Sequence, residues 1–293
     1  MTDETGTGRV DVDDADLRTR VADLTGTTVE AATDLDGGEV GRVRRLDLAD
    51  GRALVAKTGP TPLSVEGRML RYLADHTDLP VPTVHHAADD LLLLAFVPGG
   101  GTVTASVERD AAERLAALHG ATAEAYGFPF DTLSGRLAQP NPWTGSWVEF
   151  FREHRLLHVA RAGRESGRLP ADLHDRVRAL AGNLDALLAE PAAPALVHGD
   201  VWRGNLVVRD DAVAAFLDPA CYYGHREVEL AYVGWTETFG SAFRERYREL
   251  RPPAEGVAAR RPVYELLPVL EHVEHFGASY LPAVRERLDA LGY

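Results

Sequence analysis

The chain has 293 residues, 45% of them hydrophobic, and a formal charge of −14. That charge and the lack of any basic run exclude a nucleic-acid footprint, which has to be rich in Lys and Arg, and the longest apolar stretch, Leu91 to Val97, is too short to span a bilayer. The polar, acidic start (Met1 to Asp16) lacks the pattern of a secretory signal, and the single cysteine, Cys221, permits no internal disulfide or cysteine-rich metal site. A cytoplasmic protein with no nucleic-acid and no membrane partner is expected, of unknown oligomeric state.

In chain order, residues 1–10 read as a disordered N-terminus, and Asp11 to Leu24 has helical spacing behind an Asp-rich start. Alternation then predicts strands over Glu30 to Leu35, Glu39 to Leu48 and Arg52 to Lys57, with turns at Asp36-Gly37-Gly38 and at Asp50-Gly51. A helix follows over Leu63 to His76, then strands over Val81 to Ala87 and Leu91 to Val97. Pro98-Gly99-Gly100-Gly101 breaks the pattern and reads as a linker. Beyond it helices dominate: Ser106 to His119, Trp147 to Glu165, Pro170 to Glu190, Glu227 to Phe239 and onward. Two short strands, Asn205 to Arg209 and Val213 to Leu217, interrupt them. The organisation is α+β with two lobes: a small five-stranded antiparallel N-lobe with one key helix over 11–98, and a larger, mostly helical C-lobe over 99–293.

The chemistry concentrates in Val197-His198-Gly199-Asp200-Val201-Trp202-Arg203-Gly204-Asn205, followed by Phe216-Leu217-Asp218. Asp200 and Asn205 have the Asp-to-Asn spacing of kinase catalytic loops, and Asp218 ends the next hairpin. Phosphoryl transfer needs a carboxylate at the attacking hydroxyl and oxygen ligands for the magnesium that bridges the ATP phosphates, so Asp200 is the candidate base and Asn205 and Asp218 are the candidate metal ligands. A self-capping turn rich in Asp and Asn is the plain structural reading of the same residues. Arginine supplies thirty of the thirty-one basic side chains, and the one lysine is Lys57. A lysine that survives this bias sits where a guanidinium cannot replace an ammonium. On a helical wheel Glu66 falls in the apolar stripe of Leu63, Met69, Leu70 and Leu73, where a carboxylate needs a partner. Lys57 at the end of the preceding strand is the candidate, a pair that holds ATP phosphates in kinases and that elsewhere is simply structural. Gly37 and Gly38 would let backbone amides approach the phosphates, or are simply a turn, and Ala95, Phe96 and Val97 would offer backbone groups to adenine, or are an apolar strand end in the core.

Several stretches together resemble the fructosamine kinase (ketosamine 3-kinase) family. They are Tyr126-Gly127-Phe128-Pro129, Gln139-Pro140-Asn141-Pro142-Trp143, Trp147-Val148-Glu149-Phe150-Phe151, the loop from His198 to Asn205, Asp218-Pro219-Ala220-Cys221-Tyr222-Tyr223-Gly224-His225-Arg226-Glu227 and His275-Phe276-Gly277-Ala278-Ser279-Tyr280. The resemblance implies a protein-kinase-like fold related to aminoglycoside and choline kinases, ATP and Mg2+ as cofactors, and phosphorylation of the 3-hydroxyl of ketosamines on glycated amines or proteins. It also implies that Trp202 either offers a flat face to the sugar or is a core tryptophan, and that His225 and Glu229 brace the loop rather than touch substrate. Relatives can carry a cysteine in the glycine-rich turn; this chain has none there, and Arg203 stands where many have serine.

Two other readings share these residues. An aminoglycoside- or choline-type kinase would differ only in its acceptor pocket, and a pseudokinase binding module would keep the fold without the chemistry. Intact Lys57, Glu66, Asp200, Asn205 and Asp218 speak against the second. A protein Ser/Thr kinase is disfavoured, because Pro-Ala rather than Phe-Gly follows Asp218.

Overall fold

A computed structural model describes residues 13–35 and 41–293. The expected disordered residues 1–10 and the turn containing Gly37 and Gly38 lie outside the described residues. Two compact units emerge from the contacts, Met1–Tyr72 with Pro82–Pro98 and Leu73–Val81 with Gly99–Tyr293. Among the described residues no helix is long and apolar enough to cross a membrane.

The first unit begins with α1 (Asp14–Thr25), whose Ala15 amide donates to the side chain of Asp13 and whose end is a left-handed cap at Gly26. The sheet consists of β1 (Val29–Asp34), β2 (Arg42–Leu48), β3 (Ala53–Thr58), β4 (Val84–Ala87) and β5 (Leu92–Ala95), with α2 (Leu63–His76) inserted between β3 and β4. All pairings are antiparallel in the order β1-β2-β3-β5-β4. Because successive strand side chains alternate faces, Leu46, Leu48, Leu54, Ala56 and Leu93 point one way and pack with Leu17 and Val21 of α1. Lys57, next to Ala56, therefore points to the opposite face. Arg44 is almost fully buried in β2 and reaches Asp14 of α1 at 2.6 Å.

The second unit is mostly helical. After α3 (Ala105–Leu118) comes a hairpin of β6 (Thr132–Ser134) and β7 (Leu137–Gln139). The expected helix over 147–165 is three pieces: α4 (Trp147–Phe151), a π-helical turn at Arg152–Leu156, and α5 (Leu157–Glu165). Such a turn inserts an extra residue into the helix and turns the following side chains. The expected helix over 170–190 is likewise broken, into α6 (Ala171–Ala181) and α7 (Leu184–Leu187) around Gly182-Asn183. Then follow β8 (Ala195–Val197), β9 (Leu206–Arg209), β10 (Ala212–Phe216), β11 (Tyr222–Gly224), α8 (Arg226–Trp235), α9 (Ser241–Leu250), α10 (Val257–Phe276) and α11 (Leu281–Ala290). Strands β8 and β11 pair with each other, as do β9 and β10. Buried Trp147 anchors this unit, donating from its indole to Tyr264 of α10 at 3.0 Å and packing on Phe150 and Phe151.

Candidate active site

In the first unit Lys57 and Glu66 meet as expected, Nζ to Oε1 at 2.7 Å, with side chains only 14% and 16% exposed. The contact depends on how closely α2 approaches the sheet. A Cβ placed on Gly67 would stand 2.4 Å from Cβ of Ala87 and 3.1 Å from Leu92, the register partner of Lys57. Only a residue without a side chain lets the helix settle there, and the sequence pattern does not single it out. At the end of the sheet, Ala95 and Phe96 donate their amides to Thr83 (2.8 Å) and Ala53 (3.0 Å). The guanidinium of Arg45 lies 4.4 Å from the Phe96 ring centre.

In the second unit β8 delivers the chain into His198-Gly199-Asp200. Gly199 has φ +87°, and a Cβ there would lie 2.3 Å from the Ala220 carbonyl oxygen, while Ala220 donates its amide to His198 O at 2.9 Å. The loop after Asp218 is thus pressed against the loop before Asp200. Asp218 itself adopts φ +54°, a left-handed conformation that costs energy outside glycine and is common where a side chain must be aimed. Asn205 closes a short 3₁₀ turn, and its carbonyl accepts from Leu217 N at 2.9 Å.

Asp200, Asn205 and Asp218 are therefore brought together by one pair of adjoining loops. Asn205 Nδ2 donates to Asp200 Oδ2 at 2.8 Å and to its carbonyl at 3.0 Å, and the Tyr232 hydroxyl of α8 donates to Asp200 Oδ1 at 2.7 Å. Two donors fix the carboxylate plane. With its amide nitrogen spent on Asp200, Asn205 keeps its oxygen, and together with the Asp218 carboxylate it supplies hard oxygen donors suited to magnesium. Among the described residues no cluster of three His, Cys, Asp or Glu side chains could hold a metal alone. Trp202 is 38% exposed, and its ring lies over Gly204, whose added Cβ would come within 2.3 Å of the indole.

Behind the loop runs a buried relay. The Gly199 amide donates to Glu229 Oε1 at 2.7 Å, Glu229 Oε2 meets His119 Nε2 at 2.7 Å, and His119 Nδ1 meets the Tyr247 hydroxyl at 2.6 Å. Burial alone would raise the Glu229 pKa, but the His119 hydrogen bond, the His119 and His198 charges and the Gly199 amide outweigh it and hold the carboxyl below the usual range. His225 caps α8 instead, accepting from Glu227 N at 3.0 Å, and burial pushes its pKa down to about 4. Sequence reasoning missed Tyr232 and His119. Cys221 is wholly buried, and burial pushes its thiol pKa upward.

The five-stranded sheet, the helical second unit and the Asp200 loop define a phosphotransferase of protein-kinase-like fold. The sequence profile of the fructosamine kinase family matches residues 15–291. A "probable ketoamine kinase" of Synechocystis sp. is 38% identical over 180 residues, 60% of this chain and 59% of that protein. The protein-ribulosamine 3-kinase of Arabidopsis thaliana, described as chloroplastic, is 29% identical over 79% of this chain and 72% of its own. The crystal structure of a candidate fructosamine-3-kinase from Thermobifida fusca superposes with a TM-score of 0.84 at 33% identity, covering 94% of this chain and 97% of that one. This chain belongs to the fructosamine kinase family, a family of ATP-using phosphotransferases.

Proposed function

We propose that the protein transfers the γ-phosphoryl group of ATP to the 3-hydroxyl of ketosamines, the sugar adducts that glycation leaves on amines or proteins. The observation that carries the reading is the Asp200 carboxylate, fixed from both sides by Asn205 and Tyr232 in a chain matched by the family profile over residues 15–291. Asp200 orients the acceptor hydroxyl and takes its proton as the oxygen attacks phosphorus and the bond to ADP breaks. Asn205 and Asp218 would hold Mg2+, which when bound neutralises charge on the phosphates. Lys57, steadied by Glu66, contacts the phosphates, and Gly37 and Gly38 offer them backbone amides. Adenine recognition falls to the carbonyls of Ala95 to Val97 and the Val97 amide, because the amides of Ala95 and Phe96 are engaged in the sheet. Trp202 offers its exposed face to the sugar ring. The test is incubation with ATP, Mg2+ and fructosyl- or ribulosyl-lysine, read by mass spectrometry for one added phosphate. Phosphate appearing on an aminoglycoside or choline, and on no ketosamine, would refute the reading.

A further inference from the structure

A cavity with no part in the chemistry above lies in the second unit, on the side of α8 turned away from Asp200. Along a helix of 3.6 residues per turn, Leu230 and Gly234 project about 200° from Tyr232, the residue that donates to Asp200. Together with α9 and the first half of α10 they surround a space of about 350 Å³, within the range of small-molecule sites, roughly 300–1,000 Å³. Its floor is apolar. Phe239, Phe243 and Tyr247 stack in series along one wall, with ring centres 4.6 and 5.8 Å apart and planes inclined by 17° and 21°, and Ala231 and Tyr264 close the others.

The rim is cationic. Arg226 opens α8, Arg244 and Arg248 are one turn apart on α9, Arg251 follows at the next turn, and Arg261 comes from α10, all five bordering the cavity. Arg261 reaches across α8: a Cβ on Gly234 would stand 3.0 Å from its Nη2. The one acidic residue of the lining, Glu227, already has both oxygens on Arg260 at 2.7 Å. In a chain of formal charge −14 such a gathering of cations needs a reason, and α9 shows the contrast within one helix. Arg246, on its opposite face, meets Glu113 at 2.8 Å and Glu249 at 2.9 Å. Among the described residues Arg226, Arg244, Arg248 and Arg251 have no carboxylate partner; backbone carbonyls hold Arg226, Arg244 and Arg251, and of the five only Arg261 is paired, with Glu265 at 2.5 Å.

Guanidinium groups without counter-ions around an apolar floor complement one kind of occupant, an aromatic body that carries an anionic group. The body gains by leaving water, and the planar forks of arginine bind the oxygens of a carboxylate or phosphate in pairs. We propose that this cavity is a binding site for a small aromatic anion, its ring against Phe243 and Tyr247 and its charge at Arg244 and Arg248. The site is separate from the phosphotransfer centre, since Tyr232 serves Asp200 from the opposite face of α8, and it stands whichever acceptor the enzyme phosphorylates. Tyr247 touches both: its hydroxyl is the outer end of the relay through His119 and Glu229 to Gly199, so an occupant borders the group on which the catalytic loop rests.

The test is calorimetric titration of the whole protein with 2-naphthoate and, as the neutral control, 2-naphthamide, with Mg2+ and a non-hydrolysable ATP analogue at saturation so that the nucleotide site is filled. The parent should bind 2-naphthoate at one site, roughly 10-fold or more tighter than the amide, and lose affinity as salt rises. The double variant Arg244→Glu with Arg248→Glu, both exposed, should weaken binding roughly 10- to 100-fold, the share of charge-assisted hydrogen bonds. The same change of net charge on α5, Arg161→Glu with Arg164→Glu, should leave it unaltered. Ala258→Phe, at an exposed position of the lining, fills the mouth without changing the charge and should also weaken binding, with thermal melting confirming that each variant is folded. Equal affinity for acid and amide, parental affinity in either rim variant, or no binding by the folded parent would overturn the proposal. So would a parent that sediments as a dimer beside a double variant that sediments as a monomer, which would assign this face to a second copy of the chain.

Discussion

Glu229 is 2% exposed and holds two partners on opposite sides, the amide immediately before Asp200 and the ring of His119. Glu229→Ala leaves the Gly199 amide and His119 Nε2 buried without a partner. Each buried polar group left unsatisfied costs about 1–3 kcal/mol, and two of them are a large share of the roughly 5–15 kcal/mol that holds a domain folded. Glu229→Gln keeps the length and can still accept from Gly199, and its amide can donate to His119 if that ring donates to Tyr247 instead. The Gln variant should therefore lose only about 1–3 kcal/mol, the difference between charged and neutral hydrogen bonds. The pH dependence has a definite sign. Because the folded-state pKa of Glu229 lies below the ordinary 4.5, its contribution is complete above pH 4.5 and fades as the pH falls toward the folded value. Urea unfolding at neutral pH should rank parent, Gln and Ala in that order, and the gap between parent and Gln should close in acid. Turnover should fall in the same order, since Gly199 carries Asp200. An Ala variant that unfolds at the parental midpoint, or a parent-to-Gln gap that stays constant into acid, would show that the relay does not support the loop.

Gly67→Ala should force α2 away from the sheet, costing about 1–3 kcal/mol as overpacking and raising KM for ATP but not for the acceptor; an unaltered melting temperature and ATP KM would contradict this. His225→Asn retains an N-cap for α8 but removes a ring whose pKa falls from 6.5 to about 4 on folding. The neutral ring contributes above pH 6.5 and is lost as the pH falls through about 4, so parental stability should drop by roughly 3 kcal/mol more than the variant's over that window. Parallel stability profiles would refute it. Asp200→Asn should lower kcat by about 100- to 10,000-fold with nucleotide affinity little changed, as measured by calorimetry; parental turnover would remove Asp200 from the mechanism.

The parts of the site that could be read from sequence are those set by local spacing. Asp200 and Asn205 lie on one turn, Asp218 ends the next hairpin, and Glu66 sits in an apolar stripe one strand away from the only lysine. The relay behind them is long-range: Glu229 is thirty residues beyond Gly199, and His119 is a hundred and ten before Glu229. Its one sequence signal is a carboxylate inside the apolar run Val228 to Val233. Gly67 looks like an ordinary weak point in a helix, because the Ala87 methyl that demands it comes from a strand twenty residues away. The π-helical turn left no trace, since Phe150, Phe151 and Leu156 preserve an apolar stripe across the extra residue. The break at Gly182-Asn183 did leave one, and tertiary packing of Leu180 and Leu184 on either side concealed it.

Reducing sugars attack amines, and ε-amino groups are where most proteins are vulnerable to them. Here the single side-chain amine is shielded and engaged by a carboxylate, while the remaining cationic surface is built from guanidinium groups. A protein proposed to take glycated amines as substrates thereby displays almost no lysine on which the same damage could form.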